Sequence, residues 1–324
     1  MLGNFFNNLY YGKAGKADFN PENLPTSRIA LFFQMLRVYW ADLIKLNLLY
    51  VIFCLPAILW TLWSLLAMQS SAVALSAGEI TAQAFSEQIG SMLWLWLLGM
   101  FPCILITGPA TAGVTFVTRN WTRDEHSFLF SDFKDAFKGN WKQALFVSFL
   151  SGVIPVLLFV CYRFYGSLLA ENGIVFIIPQ MLTVMIGVIW LLATQVIYMM
   201  MVTYNLSLKN LVRNAVILAI GKLPLSVGIR LASLWFAVLA VAVAFLFPSI
   251  SSYALLALVL YYLIFGLAFD RFLFSAFANA ICERYINPRI EGAKVGMGLR
   301  QTTEDDYEID PTMPQPTEQT QEEK

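Results

Sequence analysis

Long apolar runs separated by short polar stretches set the pattern of this chain. Each run is about 20 residues or longer, enough to cross a hydrocarbon core of roughly 30 Å as a helix. The pattern predicts six spans, over residues 43–67, 92–117, 144–165, 174–202, 223–247 and 252–280. Pro56 is expected to kink the first. The sixth is long and carries Asp270 and Arg271 near its end. It either projects from the bilayer as one helix or breaks near Gly266 into a span and an interfacial piece.

The polar stretches between runs have helical patterns of their own. After Pro25, Thr26 or Ser27 is placed to cap a helix. Gln34, Arg37, Ala41 and Lys45 then share one face, and Phe32, Phe33, Leu36, Tyr39, Trp40 and Leu43 crowd the other. This predicts an interfacial helix merging into the first span. Residues 69–90 read as a polar connection with Glu79 and Glu87 but no Lys or Arg. Over residues 131–142, Lys134, Lys138 and Lys142 form a stripe beside Phe130, Phe133, Phe137, Trp141 and Ala144. Ser131 or Asp132 is expected to cap this helix, which suits either a membrane anchor or a docking surface for a partner.

The same pattern recurs. Phe133-Lys134-Asp135-Ala136-Phe137-Lys138 matches Leu208-Lys209-Asn210-Leu211-Val212-Arg213 in residue type, so Lys209 and Arg213 join the three lysines as candidate docking residues. Both copies follow a serine and lead into an odd-numbered span, which suggests a repeated two-span unit with 28–45 as a degenerate first copy. Ahead of both copies lies Gly108-Pro109-Ala110-Thr111-Ala112-Gly113. Gly108, Pro109 and Gly113 are candidates for a kink or a close helix-packing notch, the alternative being an unwound segment on a substrate path.

Composition agrees with the pattern. Hydrophobic residues make up 58% of the chain and charged ones 13%, against about 25% charged in soluble domains, and mean hydropathy is +0.65. The expected fold is an all-α, polytopic membrane bundle of about six spans with cytoplasmic amphipathic interfacial helices. Residues 1–25 form a polar arm without the apolar core of a cleavable signal, 26–290 the membrane domain, and 291–324 an acidic tail with too little apolar surface to fold. The zero net charge thus averages a basic body and an acidic appendage. Of 21 Lys and Arg, Arg163 alone falls in a connection between spans one and two, three and four, or five and six. Positive charge is retained inside, so both termini are expected in the cytoplasm of a cell-membrane protein.

Candidate chemistry is sparse. Cys54, Cys103, Cys161 and Cys282 lack metal or disulfide spacing. His126 is the single histidine, and no phosphate loop, zinc-binding helix or nucleophile elbow is present. No catalytic, cofactor-binding or metal residue is assigned, no enzyme is expected, and nothing points to nucleic acid. Within the spans, Arg230, Asp270 and Arg271 are expected to snorkel to the inner interface or pair across helices.

The run 108–113, then Arg119-Asn120, Asp124-Glu125-His126 and the 131–143 segment, resembles the YesL family of multi-span membrane proteins of Gram-positive bacteria. Residues 209–224 and Asn287-Pro288 fit its pattern as well. The family is built around a domain of unknown function and is commonly encoded beside carbohydrate uptake transporters and glycan-degrading enzymes. The resemblance implies a non-enzymatic protein, accessory or regulatory to a carbohydrate ATP-binding-cassette (ABC) importer, with the bilayer and importer components as partners. A permease-type subunit is the alternative, although Ile220-Gly221-Lys222-Leu223-Pro224 matches a permease coupling ending only loosely. A structural or lipid-organising role is the third.

Overall fold

The computed structural model describes residues 24–247, 250–293 and 295–300. Most of the expected arm, 1–23, and of the expected tail, 301–324, lies outside the described residues. Within them every regular element is helical: α1 (Arg28–Ser76), α2 (Ala82–Trp121), α3 (Leu129–Asn172), α4 (Ile177–Thr203), α5 (Leu208–Gly221), α6 (Leu223–Ser233), α7 (Trp235–Leu246), α8 (Ser251–Tyr261) and α9 (Leu267–Tyr285). The protein is a multi-pass membrane bundle. Four long helices and the α8–α9 helix are each long and apolar enough to cross a bilayer. The predicted fifth span, 223–247, falls on α6 and the shorter apolar α7, and a sixth crossing is reached when α5 and α6, bent by 95°, count as one span.

The interfacial helices expected at 28–45 and 131–142 are not separate elements. Residues 28–45 are the opening turns of α1, which runs unbroken through Pro56 for 49 residues. Residues 131–142 open α3, which runs for 44. At 1.5 Å per residue these helices measure about 73 and 66 Å, more than twice the hydrocarbon thickness. Amphipathic patterning showed which faces are polar, but nothing between the polar and apolar portions interrupts the backbone hydrogen bonding. Only α5 is a distinct helix, set at 95° to α6. There Pro224, in the first turn of α6, has no N–H to continue the α5 ladder.

Capping also differs from expectation at one site. Ser27 caps α1 as expected, accepting from Ala30 N at 3.2 Å. In α3 the helix starts at Leu129, and Asp132 Oδ2 instead accepts from Phe128 N at 2.9 Å and from Ser127 Oγ at 2.6 Å. The expected polar connection at 69–90 shrinks to 77–81. Ser70, Ser71 and Ser76 bond carbonyls of their own helix, and Thr81 caps α2 through Ala84 N at 3.2 Å. α3 ends at Gly173, whose φ of +96° suits a residue without a side chain.

The tightly packed core sits at one end of the bundle. In α1 burial is concentrated between Leu31 and Cys54, in α2 from Gly108 onward, in α4 between Leu192 and Met201, and in α9 from Ala268. Toward the other end, Leu59, Leu66, Leu157, Phe164, Ile186, Val238 and Leu256 are exposed, an apolar surface of the kind that suits a lipid surround. Helices there meet through isolated contacts, such as Trp60 Nε1 donating to Trp96 O at 3.1 Å and Trp96 Nε1 to Thr61 Oγ1 at 3.2 Å. Both ends of the described chain meet at the packed end, where Arg300 N donates to Pro25 O at 3.1 Å.

The sixth span is continuous, but not as a plain α-helix. Between α8 and α9, residues 262–266 form one wide π turn. Gly266 is buried in it, so the chain bulges where a break was one expectation.

Candidate functional site

The packed, terminal end presents the five candidate docking cations. Lys134, Lys138 and Lys142 are exposed along α3, and Lys209 and Arg213 along α5. Their opposite faces hold each helix in place. Ala136 and Ala144 are buried from α3, and Leu211 and Ala215 from α5. Burial follows the proposed repeat at most positions, with Ala136 matching buried Leu211, half-buried Phe137 matching half-buried Val212 and exposed cations matching exposed cations, but not at the first, where Phe133 is buried and Leu208 half-buried. The aromatic stripe divides. Phe133 and Phe137 turn inward against Phe53, at 6.2 and 5.6 Å between ring centres, while Phe130 and Trp141 stay largely exposed.

The two cationic helices are neighbours. Gln143 Nε2 donates to Leu206 O at 3.0 Å, tying α3 to the loop before α5. A recess of about 610 Å³ opens between Asn140, Lys142, Gln143 and residues Met201 to Asn205. Among the described residues no carboxylate forms an ion pair with any of the five cations.

The 108–113 stretch is a buried packing face on α2. A methyl at Gly108 would lie 2.6 Å from Ala144 O, and one at Gly113 would lie 2.7 Å from the Phe133 ring. α2 stays helical through Pro109, so the geometry is that of a close α2–α3 approach. Tyr50 and Thr111 hydroxyls pair at 2.7 Å beside it.

Three further groups of side chains complete the picture, of which only the charges within the spans were singled out from the sequence. At the terminal end Arg28 pairs with Glu283 and donates to Met297 O at 3.0 Å. Arg123 and Arg119 approach Glu125 at 3.7 and 4.0 Å, and Tyr204 OH donates to Asn287 Oδ1 at 2.6 Å. Residues 295–300, assigned from the sequence to the tail, fold over this network. Gly298, at φ +74°, sits against Asp124, itself at φ +55°. Loss of solvent around Asp124 raises its carboxyl above the usual range.

A second group gathers Arg230, Asp270 and Arg271, with Arg230 bonded across helices. Its Nη2 donates to Thr194 Oγ1 at 3.0 Å and its guanidinium lies 4.6 Å from the Phe274 ring centre. Arg271 lies over the rings of Tyr198 and Phe274, at 5.7 and 5.5 Å. Asp270 is within electrostatic reach of both arginines, and its Oδ1 is buried without a hydrogen-bond partner.

The third group lines a cleft of about 830 Å³ between α5, the α5–α6 corner and the end of α9. Lys222, Tyr285, Arg289, Asn205 and Asn214 form its polar part. The sequence does not assemble it because its residues come from positions up to 90 apart, and of its polar residues only Asn214 and Lys222 lie in a stretch already noted, 209–224. Among the described residues no group of three or more His, Cys, Asp or Glu side chains is placed to hold a metal ion.

A family model described as "Protein of unknown function, DUF624" matches residues 43–162. That range takes in most of α1, all of α2 and α3 as far as Tyr162, including the 108–113 face and the three α3 lysines. No curated protein and no solved structure matches the chain.

Proposed function

We propose that this chain is a non-enzymatic accessory protein of the cell membrane, its terminal end facing the cytoplasm, and that a partner docks on the cationic faces of α3 and α5. The observation that carries this reading is the pairing of those faces. Five exposed cations, none in an ion pair with a carboxylate of the described chain, lie on adjacent helices anchored by buried opposite faces. Charge complementarity across an interface favours an acidic partner surface. Concentration of Lys and Arg at this end supports the orientation. Resemblance to the YesL family supports a carbohydrate ABC importer as the partner.

A second reading draws on a different observation. α5 lies at 95° to α6 between two spans, the way a permease-type subunit presents a helix to its ATPase. Copurification from the native membrane separates the two. A complete importer bound beside this chain supports the accessory role, and an ATPase bound directly to α5 supports the permease role. The Lys134→Glu, Lys138→Glu, Lys209→Glu, Arg213→Glu variant should lose either complex while keeping its fold. Survival of the complex in that variant, or recovery of lipid alone with the wild-type chain, removes the docking reading.

A further inference from the structure

The cleft at the α5–α6 corner has two chemically distinct halves. Lys222 and Arg289 supply positive charge, Asn205 and Asn214 supply amide donors, and no acid lines it. Lys222 Nζ stands 4.8 Å from the centre of the Tyr285 ring, a cation–π contact that holds the ammonium at the cleft wall. Neither Lys222 nor Arg289 forms an ion pair among the described residues. The remaining wall is apolar, and Ile217 and Ile290 line it while 54% and 43% exposed. Its volume of about 830 Å³ falls within the range of sites that enclose small organic ligands.

Position adds the deciding constraint. The chain turns through 95° at Lys222, between α5 and α6, which together have the length and composition of a broken span. With α6 taken as the start of a span, a cleft at this corner falls at headgroup depth, where cations attract anionic lipid. A soluble anion would satisfy Lys222 and Arg289 but leave the isoleucine wall wet. A zwitterionic lipid would cover the wall but bring its own cation to a site without a carboxylate. We propose that this cleft binds an anionic phospholipid, with the phosphate on Lys222 and Arg289 and an acyl chain along Ile217 and Ile290. The site uses none of the five docking cations, although Thr203, Tyr204 and Asn205 border both it and the recess beside Lys142, and its failure leaves that reading untouched.

The test uses the purified full-length chain in a neutral detergent, with phosphatidylglycerol and phosphatidylcholine titrated in native mass spectrometry. Phosphatidylglycerol should bind at least tenfold more tightly. Lys222→Met with Arg289→Gln should remove that preference, Lys222→Arg should retain it, and Lys134→Met with Lys138→Met should not change it. Arg289→Gln alone, at an exposed position, replaces the double variant if the latter is unstable and should weaken binding at least threefold. Equal affinity for the two lipids, or wild-type binding by the Lys222 and Arg289 variants, overturns the proposal. So does binding of sn-glycerol 3-phosphate as tightly as short-chain dihexanoyl phosphatidylglycerol, which would make the ligand a soluble phosphate ester.

Discussion

Asn47 on α1 and Ala268 at the start of α9 are joined directly: Asn47 Oδ1 accepts the Ala268 N–H at 2.8 Å. The same side chain donates Nδ2 to Tyr262 O and Leu263 O, at 3.1 and 2.8 Å. One buried amide therefore satisfies three backbone groups that the wide turn at 262–266 releases from the helical ladder. In hydrocarbon such groups have no water to turn to. The bulge in the last span is thus held by a residue in the first.

Asn47→Leu should consequently destabilise the protein by about 3 kcal/mol, since each unsatisfied buried group costs roughly 1–3 kcal/mol. Asn47→Asp should be no better, because a carboxylate cannot donate to the two carbonyls. Thermal unfolding in detergent measures both. A wild-type midpoint for Asn47→Leu would show that the turn is stable without its clamp.

Glycines on α2 and α3 should respond in opposite directions. At Gly113 an added methyl meets Phe133 ring atoms at 2.7 Å and Phe133 O at 2.9 Å. Gly113→Ala should cost about 1–3 kcal/mol by forcing α2 and α3 apart. At Gly139, exposed in mid-α3, nothing lies within 4 Å of the new carbon, and Gly139→Ala should gain about 0.5–1 kcal/mol. Equal effects at the two sites would mean the α2–α3 approach is not set by residue size.

These examples show which features a reader of the chain alone can reach. The spans follow from run length, and the lysine stripes from i, i+4 spacing, so both are local signals. The wide turn is not local: Gly266 permits either a break or a bulge, and Asn47, some 215 positions upstream, selects between them. Helix continuity is similarly hidden. Residues 131–142 and 208–213 share a pattern, but only the second is followed by a proline that stops the backbone ladder, at Pro224. The Arg230–Asp270–Arg271 group illustrates a third limit. Snorkelling and pairing across helices were both open to these three, and the chain alone does not show that a hydroxyl of α4 and ring faces of α4 and α9 surround the two arginines.

Arg28 and Glu283 pair across 255 positions, and this pair anchors the last described residues through Met297 O. Both side chains are largely buried. Removing one partner leaves the other's charge uncompensated, at about 3 kcal/mol or more. Glu283→Ala should therefore lower stability by that amount. It should also raise amide exchange at 295–300 relative to the α4 core, read by mass spectrometry. Unchanged protection over 295–300 would show that the fold-back is held by its backbone contacts alone.

The final prediction concerns the charges inside the bundle. Two arginines and one aspartate lie close together in a medium that solvates none of them well. Asp270→Asn removes the only negative charge and leaves Arg230 and Arg271 repelling one another. Arg271→Met leaves Arg230 and Asp270 in balance. The second change should therefore be the milder, even though it also removes the contacts with Tyr198 and Phe274. Adding Arg271→Met to Asp270→Asn should then recover part of the loss, a coupling of about 1–3 kcal/mol in a double-mutant cycle. The cycle distinguishes charge balance from simple packing, because packing losses at adjacent positions would add or worsen. A coupling near zero, with both single variants equally destabilised, would mean that each residue acts through its shape and that the aspartate does not balance the two guanidinium groups.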